Sequence, residues 1–359
     1  MIKKLTGALS LTLMATTAMA GGLERSNQSV GIIFESGDYA EFSFGIVRPN
    51  VTGTQSLGGA PSGDMAGDYS PVAFGLKMDV TEDVSVALVV DSPYGGDVSY
   101  PTGTGYALAG TTADVNSQAL TAIARYQMNE NFSAYAGVRT QRVDGDVAIT
   151  GGYTLDVSQG SGTGYLVGAA YEIPEIALRA SLTYNSAIDH TQSVTESGVG
   201  TYNLSFKTPK SWHLEAQSGI AEDTLLFGSV RWVNWSDFAL TPTGFALANG
   251  GASLLSYSND VTTYTLGVGR RLNDNWSVSV SARHEKAEGG FSGNFGPNDG
   301  STGLTIGARY TQDNITVSGG INYTWLGDTN TVLNAAPLIT GSFTNNYAIG
   351  AGLKVGVHF

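Results

Sequence analysis

The segment Thr344–Phe359, TNNYAIGAGLKVGVHF, constrains this chain more than any other stretch. Taken at every second residue it places Tyr347, Ile349, Ala351, Leu353, Val355, Val357 and Phe359 on one face. The other face carries Ala348, Gly350, Gly352, Lys354, Gly356 and His358. Such period-two alternation predicts a strand with two unlike faces. Glycines fill no core, so the small face is a poor inner face for a soluble sandwich. It suits a membrane barrel with lipid against the apolar face and a lumen against the small, polar one.

The rest of the chain agrees with that reading. A terminal Phe preceded by alternating apolar residues resembles the signal read by the outer-membrane barrel assembly machinery, which makes that machinery an expected partner through Phe359. At the other end, Lys3 and Lys4, an apolar run over Leu5–Thr17 and Ala18-Met19-Ala20 form a secretory signal peptide over Met1–Ala20. Hydrophobic residues are only 42% of the total, and no later run is long enough for a membrane helix. A helical membrane protein is thereby excluded, whereas barrel strands hide their apolar residues from such counts. The absence of cysteine leaves an exported chain no disulfide framework. A net charge of −13 argues against nucleic acid as a partner.

Beyond the expected signal peptide, Gly21–Gly37 mixes charge with an apolar cluster at Val30–Phe34 and is read as a short N-terminal plug inside the lumen. From Asp38 to Phe359 about fourteen alternating segments follow, each of roughly the length of a tilted barrel strand. They begin near Tyr39, Ser70, Asp83, Asp114, Asn131, Gly162, Glu175, Gly200, Asp223, Ser256, Asn275, Ser301, Asn314 and Phe343. Their connections alternate between short turns carrying Asp, Asn, Glu or Pro and longer Gly/Thr/Ser-rich stretches. The long stretches are 52–68, 94–112, 145–160, 187–200, 242–255, 287–300 and 327–342. Short turns at one end and long loops at the other distinguish the periplasmic and extracellular ends of an outer-membrane barrel. The expected fold is thus all-β, a transmembrane antiparallel barrel.

Phasing the strands sends Arg125, Arg139, Arg179, Arg231 and Arg283 into the lumen, with Lys77 and Lys354 and the acids Glu41, Asp91, Glu172, Glu215 and Glu285. A guanidinium in a partly dehydrated lumen can hold a carboxylate in a bidentate fork, so the five arginines are candidate ligand contacts. Bracing of the barrel by mutual pairing is the plainer role for each of them. Aromatic residues near strand ends, among them Phe132, Tyr165, Tyr171, Tyr184, Trp212, Trp276 and Tyr310, read as interfacial girdles. Catalytic patterns are scarce. The four histidines are isolated and Gly160-Ser161-Gly162-Thr163-Gly164 is followed by no Lys, so neither a metal site, a cofactor nor an enzymatic activity is expected.

Two stretches carry a resemblance to a known family. Lys207–Phe238 leads a Pro and a Trp into one strand and ends the next with Trp235-Ser236-Asp237-Phe238. Asp79–Val143 has a turn, a strand running into Ser92-Pro93-Tyr94-Gly95, a long Gly/Thr loop and ALTAIARYQMNENFSAYAGVR. With the strand count and the C-terminus, these resemble the FadL/TodX family of outer-membrane transporters of long-chain fatty acids and other hydrophobic compounds. Gly21–Gly37 is shorter than that family's hatch and lacks its N-P-A motif. The resemblance implies a fourteen-stranded barrel, a lumen blocked by an N-terminal segment and a kinked third strand opening a lateral exit. Here the kink would fall on Asp91, Ser92, Pro93, Tyr94 and Gly95. It also implies passive transport of hydrophobic small molecules, such as long-chain fatty acids, into outer-membrane lipid by a monomer. Phe238, Leu240, Phe245, Leu254, Leu255, Phe291 and Phe295 are apolar residues in long loops and form the candidate entry groove. The competing expectation is a general diffusion porin or a structural or adhesive barrel.

Overall fold

The computed structural model describes residues 23–335 and 338–359. The signal peptide expected over Met1–Ala20 lies outside them, as do Gly21 and Gly22. Among the described residues, fourteen antiparallel wall strands follow one another around a closed barrel. They are β1 (Tyr39–Asn50), β2 (Val72–Asp79), β3 (Val84–Asp91, resumed at Gly95–Ser99), β4 (Thr112–Gln127), β5 (Phe132–Ile149) and β6 (Tyr153–Ile173). Next come β7 (Leu178–Asn185, resumed at Ile188–Glu196), β8 (Gly200–Thr208, resumed at Ser211–Ala221) and β9 (Thr224–Val233). The ring is completed by β10 (Val261–Arg271), β11 (Trp276–Glu285), β12 (Ser301–Gln312), β13 (Ile315–Leu326) and β14 (Tyr347–His358).

The C-terminal strand closes the ring, with Tyr39 opposite His358 and Asn50 opposite Tyr347. The first and last wall strands therefore meet at the short-turn end, Tyr39 beside His358. Two of the tight turns there place Asp223 and Asp313 at φ of 57° and 52°, where a short polar side chain is tolerated in the left-handed region.

Outward positions form an apolar belt that includes Phe42, Leu88, Leu120, Val167, Leu182, Leu266, Ile306 and Leu353. Tyr165, Tyr184 and Trp212 stack in sequence along its loop-end rim, at centroid distances of 6.1 and 4.9 Å. Phe132 with Tyr171 and Trp276 with Tyr310 pair at its short-turn rim. These rows are the girdles that amphipathic rings form at membrane interfaces. A closed wall satisfies every ladder group without an open edge, which is why strands can cross lipid at all. No helix among the described residues is long and apolar enough to do so.

Two long loops of the sequence reading are instead strand. Residues 145–160 belong mainly to β5 and β6, joined by the tight turn Thr150–Gly152, and 187–200 to β7 and β8. The four strands rise above the Tyr165–Tyr184–Trp212 rim as a tall wall, continuous in register from Asp156↔Thr195 to Glu196↔Gly200. Above the rim their outward residues are polar, for example Thr163, Asp189, Thr191, Ser205 and Lys207. Their inward residues Leu155, Val157, Val194 and Leu204 join a buried core with Tyr100, Tyr106 and Phe343. Loop hairpins from 53–55, 291–292, 329–335 and 338–343 form a small second sheet over the opposite side.

Candidate functional site

Residues 23–38 lie against the inner wall. A 3-10 turn at Gly31–Phe34 buries Ile32, Ile33 and Phe34 in a cluster with Tyr135, Ile123, Leu166 and Ala170 of β4–β6. Gly75 on β2 has no room for a Cβ, because Ile32 packs on its Cα. Four of the five lumen arginines are spent on this segment. Phe34 sits between the Arg125 and Arg179 guanidinia, 4.8 and 4.7 Å from its ring centroid. Arg139 bonds Gln28, Thr121 and Asn185. Arg231 grips Glu24 through Nη2 at 2.6 Å and Nε at 3.1 Å. Arg283 stays apart, beside Thr263 and Glu285. All five face inward, as the phasing predicts, and each already meets a protein partner.

The third strand is interrupted at Ser92–Tyr94. Asp91 is opposite Ala119 and Gly95 opposite Asn116, so Ser92, Pro93 and Tyr94 face only Ser117 and Gln118 of β4. This surplus is a bulge, and Pro93 can donate nothing to a ladder. Ser117 holds the displaced chain through Oγ, accepting from the Tyr94 N–H at 2.8 Å and donating to its carbonyl at 2.6 Å. On the other side, pairing of β2 with β3 stops at Phe74↔Val90. Main-chain contact between the two chains resumes only where the Gly67 N–H reaches the Asp97 carbonyl at 2.9 Å. The wall between these points has no ladder of its own. Leu23–Ser26 supplies one, with the Gly95 N–H donating to Leu23 and the Arg25 N–H to Pro93, both at 2.8 Å.

Directly inside this interruption is a narrow apolar pocket with a cavity volume of about 60 Å³, so a bound ligand would have to part its lining side chains. Leu23 and Tyr94 close it towards the wall gap; Val115, Val143, Val147, Leu155, Val157 and Phe206 line it from β4, β5, β6 and β8. Trp235, Phe238, Leu240 and Leu255 roof it from the loop after β9. Trp235 packs edge-on against Tyr94 at 5.7 Å and Phe238 at 5.6 Å. Asp114, Asp144 and Asp146 stand at the edge, and no Lys or Arg is among the described lining residues.

The roof is fastened at two points. Glu196, buried at the top of β7, accepts from Tyr202 at 2.6 Å, Tyr153 at 2.9 Å and the N–H groups of Gly244 at 2.9 Å and Phe245 at 2.7 Å. These last two begin α1 (Thr243–Ala248). Burial alone would raise the Glu196 carboxyl, but the bonds from Tyr202, Gly244, Phe245 and Tyr153 bring it below the ordinary Glu value. At the loop's other end Asp260 accepts from Ser236 Oγ at 2.5 Å and Asn234 at 2.9 Å.

Of the candidate groove residues, Phe238, Leu240 and Leu255 line the pocket. Leu254 is buried, and Phe245 and Phe295 pack against the same extracellular core, so these three lie behind the roof and are not exposed as the loop reading supposed. Phe291 stays exposed on a separate polar depression. Sequence reasoning missed the wall residues Leu155 and Val157 because 145–160 was read as a loop. Their signal was present: Tyr153, Leu155 and Val157 alternate with Thr154, Asp156 and Ser158. Leu23 carried no comparable signal. No group of three or more potential ligands able to hold a metal occurs among the described residues.

No protein-family model and no curated protein matches the chain. Solved structures do match its fold. A FadL homologue of Pseudomonas aeruginosa superposes with a TM-score of 0.76 at 14% identity, covering 96% of this chain and 97% of that one. The Ralstonia pickettii toluene transporter TbuX gives 0.65 at 14% identity, over 96% of both chains. The P. putida toluene transporter TodX gives 0.64 at 12% identity, over 90% of both. The chain has the fourteen-stranded barrel fold of these outer-membrane proteins, as the resemblance implied.

Proposed function

We propose that this barrel passes uncharged hydrophobic small molecules from its long-loop end into the outer membrane, without an energy source. Capture would occur in the pocket roofed by Trp235, Phe238, Leu240 and Leu255, and release would run sideways past Tyr94 through the interruption in the third strand. The carrying observation is the position of the apolar pocket against the wall gap, with Leu23 and Tyr94 lining its near side. Its solved fold relatives include proteins described as toluene transporters, which supports the ligand class. An uncharged ligand is preferred because the lining is apolar and no described lining residue is a cation. A carboxylate there would lose its hydration without gaining a charge partner. In the same reading residues 23–37 act as the plug, Phe359 marks the strand for assembly, and the chain works as a monomer.

A long-chain fatty acid is the second reading. One observation favours it: Arg231 keeps a buried Nη1 with no hydrogen-bond partner among the described residues, a position a carboxylate could take. Binding of naphthalene and of oleate to the purified barrel in detergent separates the two. Naphthalene binding that is lost in Val147→Trp, which fills the pocket, is the expected result. Oleate binding that falls in Arg231→Ala would transfer the reading to fatty acids. Steady large ion conductance in planar bilayers, with neither ligand bound, would replace both with a diffusion porin.

A further inference from the structure

The Arg25 side chain crosses the gap between β2 and β3. The Arg25 backbone hangs on the β3 lip through its N–H bond to Pro93. Its guanidinium carbon lies 4.7 Å from the ring centroid of Tyr69, on the opposite lip, where Tyr69 is fixed to Val47 of β1 by two main-chain bonds. Between the lips the guanidinium rests on Gly95, where a Cβ would come within 2.5 Å of Cζ, Nε and Nη1. A planar cation can lie flat on a glycine backbone and an aromatic face at once, which a lysine ammonium cannot do.

Burial is the largest influence on the tip and lowers the guanidinium pKa, while the nearby Asp114 and Asp97 carboxylates favour the cation. Across the wall the register sets Asp97 opposite Asp114, Asp114 opposite Asp146, and Asp146 opposite Asp156. Like charges directly opposite one another destabilise a sheet, and a cation at the end of the row offsets part of that repulsion. Withdrawal of Arg25 would leave the row uncompensated, so the acids draw it back.

We propose that Arg25 is the bolt of the lateral exit: its side chain bridges the unpaired stretch between β2 and β3, and its withdrawal opens the passage without rearrangement of the wall strands. The proposal rests on the lateral-release reading above.

The test uses the barrel in nanodiscs of brominated phosphatidylcholine with the uncharged probe N-phenyl-1-naphthylamine, which fluoresces in the pocket and is quenched in lipid. Arg25→Ala is expected to speed transfer from pocket to lipid about tenfold, with equilibrium occupancy unchanged, because a bolt raises a barrier and not an affinity. Gly95→Ala, whose new Cβ would push the flexible guanidinium aside, is expected to do the same and covers the case in which Arg25→Ala does not fold. Arg25→Lys should remain fast. Wild-type transfer rates in a folded Arg25→Ala or Gly95→Ala barrel, with the probe still bound, would overturn the bolt and leave the transport reading standing. A wild-type barrel that takes up no probe would bring both down.

Discussion

Along β7 the outward residues below the aromatic rim are Leu178, Ala180, Leu182 and Tyr184; above it they are Asp189, Thr191, Ser193 and Thr195. The inward set changes from Arg179, Ser181, Thr183 and Asn185 to Ile188, His190, Gln192, Val194 and Glu196. Lipid surrounds the first half and water the second, so one continuous wall is apolar outside below the rim and above it turns Leu155, Val157, Val194 and Leu204 into a buried core. The switch is made by Ser186 and Ala187, which break the ladder and let Asn185 and Ile188 both face inward. The membrane half is a bracing frame with a polar interior. The extracellular half is built like a soluble protein, and this gives the apolar pocket its walls. A hydrophobic ligand would thus meet its affinity site above the membrane and leave at the boundary between the two halves.

The comparison can be broken most sharply from inside the upper half. Leu155→Ala, at a residue only 1% exposed, should cost about 2–5 kcal/mol. The cost should appear in hydrogen exchange as loss of protection over 153–164 and 188–208, with the belt strands unchanged. Equal loss in the belt would mean the two halves are one cooperative unit. Next in size, Leu182→Arg should cost about 2–4 kcal/mol on refolding into vesicles. Ser193→Arg, on the same face of the same strand, should stay within about 0.5 kcal/mol. A comparable cost for both would place the membrane boundary above the Tyr165–Tyr184–Trp212 rim.

Acidification is the gentlest probe. His190 is stacked on Phe206 at 5.1 Å, and burial pushes its pKa down to about 4. The unfolded chain takes up that proton near pH 6.5 and the folded wall resists it, so stability is lost as pH falls from about 6.5 towards 4. Glu196 works in a lower window. With its folded pKa depressed, its clamp on α1 contributes fully above about pH 4.3 and is lost as pH falls through the folded value. Hydrogen exchange should show the upper wall loosening first, then α1, and His190→Phe should remove the first step. A single transition shared with the belt would contradict the separation.

Much of the barrel was legible because its elements repeat a two-residue code that needs no partner to be read. The Thr344–Phe359 pattern and the inward phase of Arg125, Arg139, Arg179, Arg231 and Arg283 follow from alternation, whereas the kink at Asp91–Gly95 was what the family resemblance implied, on a stretch whose proline cannot pair. The same code misled at 145–160 and 187–200, where glycine, serine and threonine on a watered outer face look like loop chemistry. Those residues form strand because Leu155, Val157, Val194 and Leu204 find a common core with residues far along the chain, such as Phe343.

The sequence by itself determined an apolar-out, polar-in barrel and its strand order, since local alternation and backbone chemistry fix these. Only the tertiary structure decided that Arg125, Arg139, Arg179 and Arg231 are taken up by residues 24–34, that the pocket lies above the aromatic rim, and that Arg25 fills the wall gap. Each of these depends on which distant side chains share a space, and a strand pattern carries no record of what stands across the lumen.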